Sequence, residues 1–304
     1  MSGVVASVDA QTLVDAVGLG AIFALMAVGI GLVFGVLRLV NFAYGQLVMA
    51  GAYTLAFTAG LPLAARLAAC LGVVLALTVA LERAVFRPLR TASPAVMLVT
   101  TFAIAFLLQS IALILDLRDG TIGEAAASVG GLNQAVSVGG VDVRKVTLVA
   151  IAVAALALGL LALLLARTTL GLHMRAAAAD FQTARLLGVR ADRVIASAVL
   201  LSGVLAAVVA VILTVRTPLV TPSFALMETI VVLVGVVVGG LDRLWTATLG
   251  GFSIGFATGV INGALPTEHT VFLPSAVFAL VVVVLLLRPG GLFAPGRSAL
   301  VERV

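Results

Sequence analysis

The residues able to do chemistry in this chain are few and scattered. There are two histidines, His173 and His269, one cysteine, Cys70, and one lysine, Lys145. A bound metal draws three or four ligands from one neighbourhood, and no cluster of His, Cys, Asp or Glu at ligand spacing occurs in the sequence. A lone cysteine supports neither a disulfide framework nor a thiolate metal site. Lys145 is followed by Val146, so the phosphate-cradling GxxxxGK[ST] loop is missing. No catalytic residue, metal or cofactor is expected, and ATP hydrolysis would have to come from another subunit.

What remains is polarity set into apolar surroundings. Asn41, Tyr44 and Gln46 fall in RLVNFAYGQL, where Asn-Phe-Ala-Tyr-Gly interrupts two apolar runs, and Glu228 opens a further run. Polar groups at membrane depth face a bundle interior or a cavity, because lipid cannot satisfy them. Interrupted helices in transporters place freed backbone groups and helix ends beside the solute. Asn41, Tyr44, Gln46 and Glu228 are therefore candidates for a translocation path.

The elements that must hold these residues are membrane helices. Of 304 residues 62% are hydrophobic and only 10% charged, with a mean hydropathy of +1.28, against roughly 25% charged in soluble domains. An ordinary soluble enzyme is excluded. The net charge of +5 is explained by arginines at helix ends rather than by nucleic-acid binding. The start, MSGVVASVDAQTLVDA, lacks a basic segment and carries Asp9 and Asp15, so a cleavable signal is not expected.

Crossing a ~30 Å hydrocarbon layer takes about 20 apolar residues. Candidate spans run over 13–37, 42–60, 62–81, 95–115, 147–166, 194–215, 226–240, 246–264 and 270–287. The second, seventh and eighth are short or glycine-interrupted. The spacing predicts an all-α polytopic bundle of about eight or nine spans in a single transmembrane domain, residues 1–304. A broken or re-entrant helix near 41–51 would change that count. Placing the C-terminus inside puts 13 of the 18 basic residues on the cytoplasmic face, and Arg66, Arg118, Arg144, Lys145 and Arg216 outside.

That orientation makes 116–145 an external loop, where SVGG occurs at 128–131 and 137–140. Glycine pairs beside β-branched residues predict a small hairpin or a solvated loop there. The segment 167–193, RTTLGLHMRAAAADFQTARLLGVRADR, becomes a cytoplasmic basic island. Its alanine-rich middle predicts a helix over 174–187, stopped by Gly188 in the left-handed position. Ala177, Phe181, Ala184 and Gly188 then share one face. Arg175, Asp180 and Arg185 supply charge beside it. Gly251, Gly255, Gly259 and Gly263 recur every four residues and form a stripe suited to close helix packing or to lining a narrow path.

Five segments in order resemble the permease subunits of bacterial ABC importers for branched-chain amino acids, specifically the first of their two paralogous permeases. They are Gly18–Tyr53, ERAVFRPLR at 82–90, Gly171–Val194, Glu228–Gly251 and LLLRPGGLFAP at 285–295. The chain departs from the family at Tyr44, where histidine is usual. It departs again at Gly239-Gly240-Leu241-Asp242-Arg243-Leu244-Trp245-Thr246, where Gly-Gly-x-Gly-Ser-x-x-Gly is usual.

The resemblance implies half of a translocation path for branched-chain amino acids or a related small polar solute. It also implies a bacterial inner membrane, and no nucleic acid. The implied partners are the lipid bilayer, a paralogous permease, two cytoplasmic ATPase subunits and an extracytoplasmic solute-binding protein. Arg175, Ala177, Asp180, Phe181, Ala184 and Gly188 would form the ATPase-coupling contact. The alternative, an ion-gradient-driven secondary transporter, calls for intramembrane carboxylates, of which Glu228 is the sole candidate near a span.

Overall fold

A computed structural model describes residues 10–37, 41–89, 92–119, 134–138, 141–179, 181–217, 219–240, 243–288 and 293. Within them the fold is a bundle of α-helices with one short β-hairpin. The helices are α1 (Ala10–Leu37), α2 (Tyr44–Phe57), α3 (Leu63–Leu81), α4 (Pro94–Asp119), α5 (Lys145–Arg167), α6 (Thr169–Ala179), α7 (Phe181–Leu186), α8 (Ala191–Arg216), α9 (Leu226–Gly239), α10 (Leu244–Ala264) and α11 (Leu273–Leu287). A π-helical turn, Glu82–Phe86, extends α3, and a 3-10 segment, Thr267–Phe272, leads into α11.

In hydrocarbon every backbone N–H and C=O must be satisfied within the segment, which forces Leu/Val/Ala runs into helices. Seven helices are long and apolar enough to cross a membrane, and α9 is a shorter apolar helix. With the short helix α2 added, helices occupy all nine candidate spans. At 14 residues each, α2 and α9 extend only about 21 Å, well short of the layer. The interruption near Asn41 lies at 41–43, and 44–57 is one continuous short helix. The eighth span is unbroken despite its glycines.

The hairpin is β1 (Ala135–Val138) paired antiparallel with β2 (Val141–Arg144), in register Ala135↔Arg144 to Val138↔Val141. It runs directly into α5, and the Lys145 N–H donates to the Gln134 carbonyl at 3.0 Å. The first SVGG, at 128–131, lies outside the described residues.

The centre is built from α1 and α8, the two most deeply buried spans. They are antiparallel, because the Arg216 end of α8 lies in the field of Asp15 near the start of α1. Their neighbours repeat. The long helix α1 packs along α10 as α8 packs along α3, each first helix touches the other half's short helix, and α2 meets α3 as α9 meets α10. Both cross-pairs are antiparallel: Gly251, Gly255, Gly259 and Gly263 descend α10 as Phe23, Gly20, Ala16 and Thr12 ascend α1, and Gly203 faces Thr78 while Gly51 brings Ala210 to Val74. The long-short-long unit α1–α3 therefore recurs as α8–α10 in the opposite direction. Such inverted repeats are a recurring plan of membrane transporters.

Candidate functional site: the half-helix junction and the basic loop

The two half-length helices meet at their N-terminal ends. Gly45, in the first turn of α2, faces α9: a Cβ there would lie 2.5 Å from Thr229 Oγ1 and 3.0 Å from the Ala225 carbonyl oxygen. Only glycine allows that approach. Ala225, the residue before α9, has φ +62°, a left-handed conformation that costs a residue with a Cβ about 1–2 kcal/mol. Its carbonyl accepts both the Thr229 N–H at 3.0 Å and the Thr229 hydroxyl at 2.6 Å. Strain held by several contacts is typical of functional junctions.

Of the four residues proposed for the path, three lie at this junction on the α2 side. Asn41 is buried, and its Oδ1 accepts the Ala43 N–H at 3.0 Å, which caps the turn into α2. Tyr44 is fully buried, and its ring fills the space left by Gly29 on α1, where a Cβ would come within 2.7 Å of the ring carbons. The sequence pattern did not single out Gly29, since its partner is remote in the chain. The Tyr44 hydroxyl, both polar atoms of the Gln46 amide and the Ser202 hydroxyl on α8 are buried with no hydrogen-bond partner. An unpaired buried polar group carries a penalty of about 1–3 kcal/mol, so these groups mark where water or a polar solute would be held.

The fourth residue, Glu228, is half-buried in the first turn of α9, where a carboxylate complements the helix dipole. It shares the field of Arg216 with Asp15 and Arg144. Asp15 Oδ1 also accepts the Thr147 hydroxyl at 3.2 Å. The ends of α1, α5, α8 and α9 at this face are thereby tied into one balanced charge group. Arg66, placed at the outer end of the third span by the sequence, is buried and donates to the Leu55 carbonyl at 3.2 Å.

At the opposite ends of α1 and α5 lies the basic loop. Helix is described on either side of residue 180, over Thr169–Ala179 and Phe181–Leu186, and it begins already at Thr169 rather than at 174. Thr168, extended at φ −109° and ψ 155°, turns the chain between α5 and α6. The Arg175 guanidinium donates to the Leu165 carbonyl, capping the last turn of α5, where a cation is favoured. Gly188 follows α7 at φ +87°, and the Val189 N–H reaches back to the Ala184 carbonyl at 3.0 Å, the long bond of a Schellman cap.

The face assigned to this loop needs correction. Ala177 and Ala184 are each only 4% exposed, packed into the chain's own bundle rather than offered to a partner. What the loop presents outward is Leu186 and Leu187, 87% and 81% exposed, with exposed Arg175, Arg190 and Arg193 nearby. Asp180 lies outside the described residues, and of Phe181 only the backbone is described. Leu186 and Leu187 escaped the sequence reading because a continuous helix would have placed them off the chosen face.

The glycine stripe lies wholly against α1. Gly255 would place a Cβ 2.8 Å from Gly20 Cα and Gly259 one 2.5 Å from Ala16 Cα; Gly251 meets Ala27, and Gly263 meets Thr12. Among the described residues no group of three or more His, Cys, Asp or Glu side chains could hold a metal.

A family model for the permease component of branched-chain amino acid transport systems matches residues 12–287. The chain belongs to this permease family. It is 29% identical over 306 residues to the high-affinity branched-chain amino acid transport permease BraD of Pseudomonas aeruginosa, covering 97% of both chains. It is 28% identical over 311 residues to the corresponding permease LivH of Escherichia coli K12, and to LivH of Salmonella typhimurium, with 97% of each chain covered. No solved structure matches. Membership makes this a multi-pass membrane transport subunit rather than an enzyme, and favours the permease reading over the ion-driven carrier.

Proposed function

We propose that this chain forms half of the translocation path of an ATP-driven importer in a bacterial inner membrane. The cargo would be branched-chain amino acids or a related small polar solute. A paralogous permease supplies the other half, two cytoplasmic ATPase subunits supply energy, and an extracytoplasmic binding protein delivers solute. The observation that carries this reading is the family match over 12–287. A chain with no phosphate-binding loop must receive its energy by contact, and the exposed Leu186–Leu187 knob flanked by arginines is the surface built for that contact.

In this reading the α6–α7 segment takes the push of the ATPases, and α5, tied to α6 through Arg175, transmits it to the α1–α8 centre. The half-helix junction at Gly45, Ala225 and Thr229 is where the two inverted halves shift against each other. Uptake of the solute held by the partner binding protein tests the assignment. Uptake should continue when the proton gradient is collapsed with ATP maintained. Loss of uptake under those conditions would identify an ion-driven carrier instead.

A further inference from the structure

Between α1, α5, α6 and α10 lies a cavity of about 770 Å³. Its walls are Val28 to Val36 on α1, Leu158 to Leu165 on α5, and Leu244 to Leu249 on α10. Among the described lining residues the charged ones are Arg175 and Arg243 alone, and both are exposed. Both sit at one end of the cavity, where α1 and α5 finish and α10 begins. Trp245, half exposed, stands at the same end.

We infer that this cavity seats an anionic phospholipid, its acyl chains along Val28–Val36 and Leu158–Leu165 and its phosphate against Arg175 and Arg243. Four features point to this occupant. From Val28 to Val36 the wall rises about 12 Å, close to the ~15 Å half-thickness of a bilayer core, so the cavity spans one leaflet. Apart from the two arginines the lining is almost wholly apolar, with Val28, Leu32, Leu158, Leu161 and Leu165 along its length, the surface that acyl chains cover. Two like charges at a single mouth, with no carboxylate among the described lining, call for an anionic headgroup, as basic pockets between membrane helices do. The tryptophan lies where interfacial aromatics collect. Gly35 leaves the wall open, since a Cβ there would meet nothing within 4 Å.

Trp245 is the chain's one tryptophan, so its fluorescence reports what occupies the cavity. The purified complex is titrated with phosphatidylglycerol or phosphatidylcholine carrying brominated acyl chains, and a Trp245→Phe complex subtracts the signal of partner tryptophans. Phosphatidylglycerol should quench at a several-fold lower mole fraction than phosphatidylcholine. Arg243→Gln should cut that preference by about fivefold, the worth of one basic side chain against an anionic headgroup. Gly35→Phe fills the apolar part without touching either arginine, and should abolish the preferential quenching while the complex elutes intact. Equal quenching by both lipids would reduce the contact to ordinary annular lipid and overturn the proposal. So would quenching that Gly35→Phe leaves unchanged. Quenching seen with this chain alone but lost on adding the paralogous permease would show that protein covers the cavity, and would overturn it equally.

Discussion

Adding one methyl group at Gly255 should separate packing from path in a single comparison. An ideal Cβ at this position lies 2.8 Å from Gly20 Cα, 2.8 Å from Phe23 Cβ and 2.9 Å from the Leu19 carbonyl oxygen. Carbon atoms rest at about 3.5–4.0 Å, so α10 would have to move off α1 by roughly 0.7–1.2 Å. Two of the three obstacles are backbone and cannot rotate away, which places the overpacking cost at the upper end of ~1–3 kcal/mol. A glycine replaced by alanine inside a helix also gains about 0.5–1 kcal/mol of backbone entropy. The net expected for Gly255→Ala is a loss of about 2 kcal/mol. Gly159 on α5 is exposed with nothing within 4 Å of an added Cβ, so Gly159→Ala should be neutral or mildly stabilising. Subtracting the two cancels the propensity term and leaves about 3 kcal/mol of packing. Unfolding of the purified chain by SDS titration in mixed micelles measures both variants. If they agree within ~0.5 kcal/mol, α1 and α10 are not held by this contact. Normal stability with abolished transport would place the stripe on the path.

Gly188→Val puts a β-branched side chain at φ +87°, a cost of ~1 kcal/mol or more; the variant should insert normally yet lose the ATPase subunits on co-purification. Leu186→Asp with Leu187→Asp replaces the exposed apolar knob by charge and should lower ATPase retention at least tenfold while the stability of the isolated chain stays within ~0.5 kcal/mol, as for other surface changes. Cys70 is buried, so Leu187→Cys gives one accessible thiol; it should label from the cytoplasm only, and labelling of intact cells by an impermeant reagent would invert the orientation. Ala225→Gly relieves the left-handed residue before α9 and should stabilise the chain by roughly 0.5–1 kcal/mol after the entropy of the added glycine is counted; an unchanged or lowered stability would mean that the junction carries no such strain.

The apolar run lengths made the helices legible, because hydrocarbon leaves the backbone no alternative to helix. The sequence also marked α2 and α9 as short, and Gly188 as a cap. Three features were hidden for a common reason: they depend on which remote element covers a face. Periodicity placed Ala177 and Ala184 together, yet it could not say that their face turns inward. Charge counting put Arg66 on the outer side, but it could not show that the Leu55 carbonyl at the end of α2 holds the side chain in a buried place. The glycine stripe in α10 was legible as a packing surface, but its spacing could not name α1 as the helix it meets.

The inverted repeat gives the buried polar residues a mechanical meaning. In each half a long helix is followed by a half-length one, and the two short helices meet closely at their first turns, at Gly45 and Ala225. That contact leaves little apolar area to resist sliding. Beside it, Tyr44, Gln46 and Ser202 bury polar atoms without partners, each at about 1–3 kcal/mol. Any arrangement that hydrates or pairs those groups is favoured over one that leaves them bare. The strained residue before α9 adds a bias in the same direction. In the importer proposed above, ATPase contact at Leu186–Leu187 would add to that bias rather than supply the whole energy of a switch.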